Sequence, residues 1–140
     1  MTDTDLKQIE TQLGITLPEA YCKLLITRSE ELKGFTHQMR GETRGWFEDL
    51  LYLDVDEVVR VNLSERQSNA GAERAFPDWS KTFFLIGTNG GGDYYCLRLK
   101  GDQKVWMIGS DCGDQPSEQF PTLSDYVEEQ IEEYQEEEGD

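Results

Sequence analysis

Residues 83–108 read FFLIGTNGGGDYYCLRLKGDQKVWMI, and the order of apolar runs and glycines within them decides the fold. An apolar run enters a glycine-rich corner at Gly87, Gly90, Gly91 and Gly92, an acid follows at Asp93, and two more strand-like runs come next. Such a corner invites comparison with a phosphate cradle. A P-loop requires GxxxxGK[ST], and no Lys-Ser or Lys-Thr follows these glycines. The dinucleotide fingerprint requires glycines at i, i+2 and i+5, and Tyr95 stands five after Gly90. Asp93 would also repel a phosphate placed there. The nucleotide reading fails, and a tight connection between strands remains.

Working outward, Phe83, Phe84, Leu85 and Ile86 predict a strand buried on both faces. Tyr95, Leu97 and Leu99 alternate with Tyr94, Cys96 and Arg98 in the next run. A turn over 101–104 joins it to a third strand over 105–108, so the last two should form a hairpin. Upstream, Leu6, Ile9 and Leu13 define one face of a helix over 5–13 that stops at Gly14. Pro18 suits the first position of a second helix, with Tyr21, Leu24 and Leu25 inward. Residues 33–45 are polar with three glycines and read as loop. The run from Trp46 to Leu53 returns to the core as an expected strand. Asp54 and Glu57 form a capping-box-like pair opening a third helix, with Val55, Val58, Val59 and Leu63 on one side. Residues 64–75 read as loop, 76–79 lead into the strand block, and 110–121 read as irregular. Thr122 and Asp125 cap a last amphipathic helix bearing Leu123, Tyr126, Val127, Ile131 and Tyr134 on one face. The pattern is α+β. It is expected to form a single domain over 1–135 with a frayed acidic tail over 136–140.

Composition narrows the function. The chain has 140 residues, a net charge of −16 and 29 acidic against 13 basic residues. Its last 13 residues hold eight carboxylates and no Lys or Arg, which is half of that net charge, so the body is acidic too. Direct nucleic-acid binding is disfavoured, because that affinity comes largely from cations neutralising phosphates. The same field favours a basic protein partner, or else serves only solubility. No stretch approaches the ~20 apolar residues of a membrane span. The opening MTDTDLKQIE has neither the basic nor the apolar region of a secretory signal. Cys22, Cys96 and Cys112 are odd in number and without a CxxC, so three reduced thiols in the cytoplasm are expected.

The motifs of catalysis do not assemble. His37 is the lone histidine, so a zinc site would need ligands from four distant segments, and ordinary thiols are the simpler reading. Cys96 could pair with His37 on paper, yet it lies in an apolar strand where a thiol is normally inert packing. Carboxylate pairs are plentiful as expected by chance, the DxDxDG calcium loop is absent, and so is GxSxG. Asp111 and Asp114 could hold a cation weakly, or simply flank a solvated turn. No enzymatic activity, cofactor or metal is therefore expected.

Several residues admit two readings. The Glu run of the last helix, including Glu128, Glu132 and Glu133, is either a solvated face or a surface for a cationic partner. Like charges at i, i+4 spacing at the helix C-terminus oppose both pair energetics and the dipole, a cost that hints at a partner. Trp46, entered from the loop RGETRG, is either core or a binding anchor. Asp93 either caps the glycine corner or faces a partner. The candidate partner-binding set is thus Trp46, Asp93, Asp111, Asp114, Glu128, Glu132 and Glu133, the acids among them expected to be exposed.

Three segments in order carry a resemblance: IETQLGITLPEAYCKLL (9–25), LYLDVDEVVRVN (51–62) and FLIGTNGGGDYYCLRL followed by KVWMI (84–99, 104–108). Together they resemble the SMI1/KNR4 family, also called the SUKH superfamily. The resemblance covers nearly the whole chain. It implies a mostly antiparallel sheet with helices packed on one side, and two function classes. Stand-alone bacterial members are immunity proteins that neutralise toxin domains, often nucleases. Fungal relatives regulate cell-wall synthesis and carry long disordered flanks. A short chain without such flanks fits the first class, and an intracellular adaptor without a toxin partner is the alternative.

Overall fold

The computed structural model describes residues 1–67, 79–109 and 115–138. Helix α1 spans Asp3–Leu13 and begins earlier than the apolar stripe alone suggests, because Thr2 caps it. The Thr2 hydroxyl accepts the Asp5 N–H at 3.2 Å, and the Asp5 carboxylate accepts the Thr2 N–H at 2.9 Å. Gly14, in the left-handed region at φ 68°, ends the helix and donates to the Glu10 carbonyl. The Glu10 carboxylate takes the Leu17 N–H at 2.8 Å and fastens the turn into α2, Glu19–Lys33, which follows Pro18.

The polar segment after α2 departs from the expected loop. It forms a hairpin of β1 (Thr36–Met39) and β2 (Glu42–Gly45), turned by Arg40 and Gly41 at φ 55° and 81°. Two successive positive-φ residues give the turn a twist that matches its strands. The run 46–53, expected as a strand, is instead a chain of turns that buries Phe47, Leu51, Tyr52 and Leu53. The expectation had its burial right and its backbone wrong, because the Leu51 N–H bonds back to Phe47 rather than across a ladder.

Helix α3 spans Val55–Gln67, so its last residues occupy part of the expected 64–75 loop; positions 68–78 lie outside the described residues. A 3₁₀ turn, Trp79–Lys81, leads into an antiparallel meander. Its strands are β3 (Phe83–Thr88), β4 (Asp93–Arg98), β5 (Val105–Gly109) and β6 (Ser117–Phe120), in that spatial order. The strand block follows the sequence reading, with the β4–β5 hairpin in place. Strand β6 is a correction to the irregular reading of 110–121, a polar edge strand paired with β5. Helix α4, Leu123–Glu138, closes the chain and reaches three residues into the stretch expected to fray; the Asp125 N–H donates to the Thr122 hydroxyl at 3.1 Å.

The fold is α+β, with four helices, a four-stranded antiparallel sheet and a two-stranded one among the described residues. Both faces of β3 are buried, as its continuous apolar run predicts. Phe84 and Ile86 join Leu97 and Val105 in the core shared with the helices, including Ile9, Leu25 and Val127. Phe83 and Leu85 point the other way, to a smaller cluster with Trp79, Cys96 and Ile108. Fully burying each such Leu, Ile or Phe contributes about 1.5–3 kcal/mol.

The outer edge of β3 is covered by backbone and side chain together. The Tyr52 N–H donates to the Ile86 carbonyl at 2.8 Å, and the Thr88 N–H donates to the Asp49 carbonyl at 2.7 Å. Next along the strand, the buried Asn62 amide donates to the Leu85 carbonyl and accepts the Leu85 N–H, both at 3.0 Å. The helix therefore completes the hydrogen bonding of a strand edge that would otherwise invite another chain. Gly87 permits this approach, since a Cβ there would lie 2.0 Å from the Leu50 carbonyl oxygen.

Candidate partner-binding surface

The glycine corner is closed on itself. The Thr88 hydroxyl donates to the Asp93 carbonyl at 2.8 Å and accepts the Gly90 N–H at 3.1 Å; the Gly91 N–H goes to the Asn89 side-chain oxygen at 2.8 Å. Those amides are spent inside the turn, which agrees with the rejection of a phosphate cradle. Asp93 itself is 1% exposed, a correction to its expected exposure. Its carboxylate receives the Asn89 side-chain amide at 3.4 Å and packs on Gly109, where a Cβ would come within 2.1 Å of it. The buried carboxylate belongs to the turn and to the β4–β5 ladder, the capping role of the two considered.

Trp46 is partly buried and pinned. Its indole N–H donates to the Gln130 carbonyl of α4 at 3.1 Å. Its ring meets His37 and Tyr134 edge-on, with centroids 5.3 and 5.5 Å apart. Phe35 stacks edge-on against both Phe47 and Tyr134, and the Tyr134 hydroxyl donates to the Thr36 carbonyl at 2.9 Å. This aromatic group locks the β1–β2 hairpin to the second half of α4, so Trp46 holds the acidic helix in position beside the hairpin.

Helix α4 keeps its expected apolar face: Leu123, Tyr126, Val127 and Ile131 are buried. The opposite face carries Glu128, Glu129, Glu132, Glu133, Glu136 and Glu137, all exposed. Glu128 is engaged within the molecule, receiving Arg28 of α2 at 2.6 Å, while Arg28 also grips Glu31 at 3.0 Å. Those bonds, Glu31 first, hold the guanidinium more firmly protonated than usual. For Glu132 and Glu133 no ion pair occurs among the described residues, and they project as open charge. Asp111 and Asp114 lie outside the described residues. The structure thus brings Trp46 and the Glu132–Glu133 stretch onto one assembly; Asp93 is buried beneath the glycine corner, whose Thr88, Asn89 and Gly90 line a pocket with His37 and Trp46.

Sequence reasoning missed Arg28 and Asn62 as contributors, and for Tyr134 it gave the inward face without the partner. Arg28 and Tyr134 act through partners about 100 positions away, which no local pattern reveals. Asn62 had a signal, being a polar residue inside the apolar stripe of α3. Beside the hairpin lies a groove of about 560 Å³, between β2, the end of α2 and the start of α3. Its floor is formed by Leu32, Phe47, Leu51 and Leu53, and its rim carries more carboxylates than cations. Glu57, half-buried on that rim, has its carboxyl raised above the ordinary range by burial, with Arg60 opposing and Asp54, Asp49 and Glu48 reinforcing. Among the described residues, no group of three or more His, Cys, Asp or Glu is placed to hold a metal ion; Cys22 is a free thiol, and the buried Cys96 Sγ donates to the Trp106 carbonyl at 3.5 Å. No described helix is long and apolar enough to cross a membrane.

Comparison with curated proteins and with solved structures finds no match. The family comparison does: the model of the SMI1 / KNR4 family (SUKH-1) matches residues 1–129, a span that contains all three of the resembling segments. With that match over nearly its whole length, the chain belongs to the SMI1/KNR4 (SUKH-1) family.

Proposed function

We propose that this protein is a non-enzymatic immunity protein of the cytoplasm that binds and neutralises a basic toxin domain, a nuclease being the best fit. The family is known for immunity proteins, which supports the class. The observation that carries the reading to a basic partner is the outer face of α4, where Glu129, Glu132, Glu133, Glu136 and Glu137 stand exposed on a helix without a single Lys or Arg. Like charges crowded at a helix C-terminus cost stability, and a cationic partner would offset that cost. Nuclease domains bind a polyanion and tend to be basic, so an acidic inhibitor would be steered to them and could cover the phosphate-binding surface. The partner-binding set on this reading is Trp46 through its hold on α4, Glu132 and Glu133 directly, Glu128 in part, Asp111 and Asp114, with Asp93 acting through the corner it organises.

The test is affinity capture of the tagged protein from its own cells at low and at high salt, followed by co-expression of whatever is captured. One basic domain, released by salt, toxic alone and harmless when co-expressed, is the expected result. Capture of regulatory proteins alone, with no toxicity to suppress, would favour an intracellular adaptor and leave the acidity to solubility.

A further inference from the structure

Strand β2 pairs only with β1 among the described residues, so its other edge is unpartnered. In the register Met39↔Glu42, Gln38↔Thr43, His37↔Arg44, a two-residue turn makes Met39–Glu42 and His37–Arg44 the hydrogen-bonded pairs. Thr43 therefore turns its N–H and C=O outward, away from β1. Edges of this kind are normally blunted. The edge of β3 is covered in this molecule, by Asn62 and the 49–52 segment, while β2 is left open. It opens onto the groove of about 560 Å³, which Glu42, Thr43, Arg44 and Gly45 line from the β2 side.

The groove also has the sign a cationic occupant needs. Glu42, Glu48, Asp54 and Glu57 line it against Lys33 and Arg44, so the rim is net negative even with Asp54 and Glu42 paired to those cations. Lys33 contacts Asp54 at 3.3 Å and Glu30 at 3.8 Å; Arg44 contacts Glu42 at 3.7 Å. Among the described residues, Glu57 is paired with Arg60 alone, at 3.8 Å. An apolar floor, a free strand edge and an acidic rim are the three parts of a strand-addition site: backbone bonds supply affinity, and alternate side chains enter floor and rim.

We infer that the groove beside β2 receives an extended, cationic segment of the partner, paired antiparallel or parallel to 42–45 with alternate Arg or Lys side chains reaching Asp54 and Glu57. The inference rests on the proposed basic partner and adds the anchoring surface, leaving α4 to steer the encounter. The probe is a short alternating Arg-Val peptide, titrated into the full-length isotope-labelled protein at low salt and followed by amide chemical shifts and hydrogen exchange. The expected result is shifts at Thr43, Gly45, Leu51 and Glu57, slowed exchange of the Thr43 amide, and at least tenfold weaker binding to a D54N/E57Q double variant. A second variant, Thr43→Pro, removes the exposed donor without entering the core and should abolish the slowed exchange and weaken binding. Shifts confined to α4 would overturn the groove while leaving a cationic partner in place. Equal binding by D54N/E57Q and wild type would overturn it in the same way. No shift anywhere would overturn the groove and, if capture also yields no basic protein, the function it rests on.

Discussion

Asn62 serves as a strand neighbour made from a side chain. It is fully buried, donates to both Val58 and Leu85 carbonyls and accepts the Leu85 N–H. Replacing it by Ala or Leu would leave the Leu85 amide and carbonyl without partners in a dry environment, where each orphaned group costs about 1–3 kcal/mol. An Asn62→Leu variant should therefore lose about 2–4 kcal/mol, read as a lowered denaturation midpoint at unchanged slope. A loss under about 0.5 kcal/mol would mean that water or backbone adjustment replaces the amide. Glu57 makes the opposite prediction. Its native carboxyl titrates above the ordinary value of 4.5, chiefly because it is partly buried. In the interval above 4.5 the native state holds more protons than the unfolded one, so stability falls as pH rises through that interval. Glu57→Gln should thus stabilise the protein at neutral pH, by less than about 1 kcal/mol given its partial exposure, with the gain vanishing below the ordinary titration range. Parallel denaturation curves at pH 4 and 7 check it. A residue that weakens the fold yet strengthens a cation site is expected where function sets the choice.

Among the elements, the hairpin and α4 stand or fall together. Tyr134 reaches the Thr36 carbonyl, Trp46 reaches the Gln130 carbonyl, and their rings interlock with His37 and Phe35. A two-stranded hairpin alone is marginal in water, so this docking is what makes it persist. Removing the Tyr134 hydroxyl as Tyr134→Phe should cost about 1 kcal/mol or less. The effect should fall on local opening, with faster amide exchange in β1–β2 and unchanged exchange in β3–β5. Uniform acceleration across all strands would show that the hairpin opens only with the whole fold. The same dependence explains what the sequence could reveal. The runs around Phe83–Ile86 and Tyr94–Leu99 announce themselves by burial, and the Leu6-Ile9-Leu13 and Tyr126-Val127-Ile131 stripes do so by period. Strands β1 and β2 are polar on nearly every side, and Arg40 occupies a positive-φ position usually given to Asn or Gly. Strand β6, reading SEQF, is hidden for the same reason. The run 46–53 misleads because apolar density signals burial without naming the backbone that achieves it. Of the candidate surface, the charge on α4 was legible, whereas Asp93 was not: an acid after glycines looks exposed until the packing on Gly109 is seen.

Across the whole molecule, a net charge of −16 makes a field that extends beyond any single contact. At an ionic strength near 0.1 M the screening length is about 10 Å, so on the proposed function the exposed carboxylates on α4 would act mainly during a partner's approach. Charges of this kind set association rates, while desolvated anchors set dissociation. With the basic domain recovered by capture, an E132Q/E133Q variant should associate several-fold more slowly at low salt, dissociate within about twofold of wild type, and match it at high salt. Glu128→Gln separates field from contact. It removes one charge like the others, yet it also takes the ion-pair character out of the 2.6 Å link between α2 and α4, leaving Arg28 on Glu31. Steering alone predicts the same slowing per charge for Glu128→Gln as for Glu132→Gln, with any added loss appearing in thermal stability. Unchanged association of E132Q/E133Q would sink steering by α4, and a large rise in its dissociation rate would make the helix face part of the anchored interface.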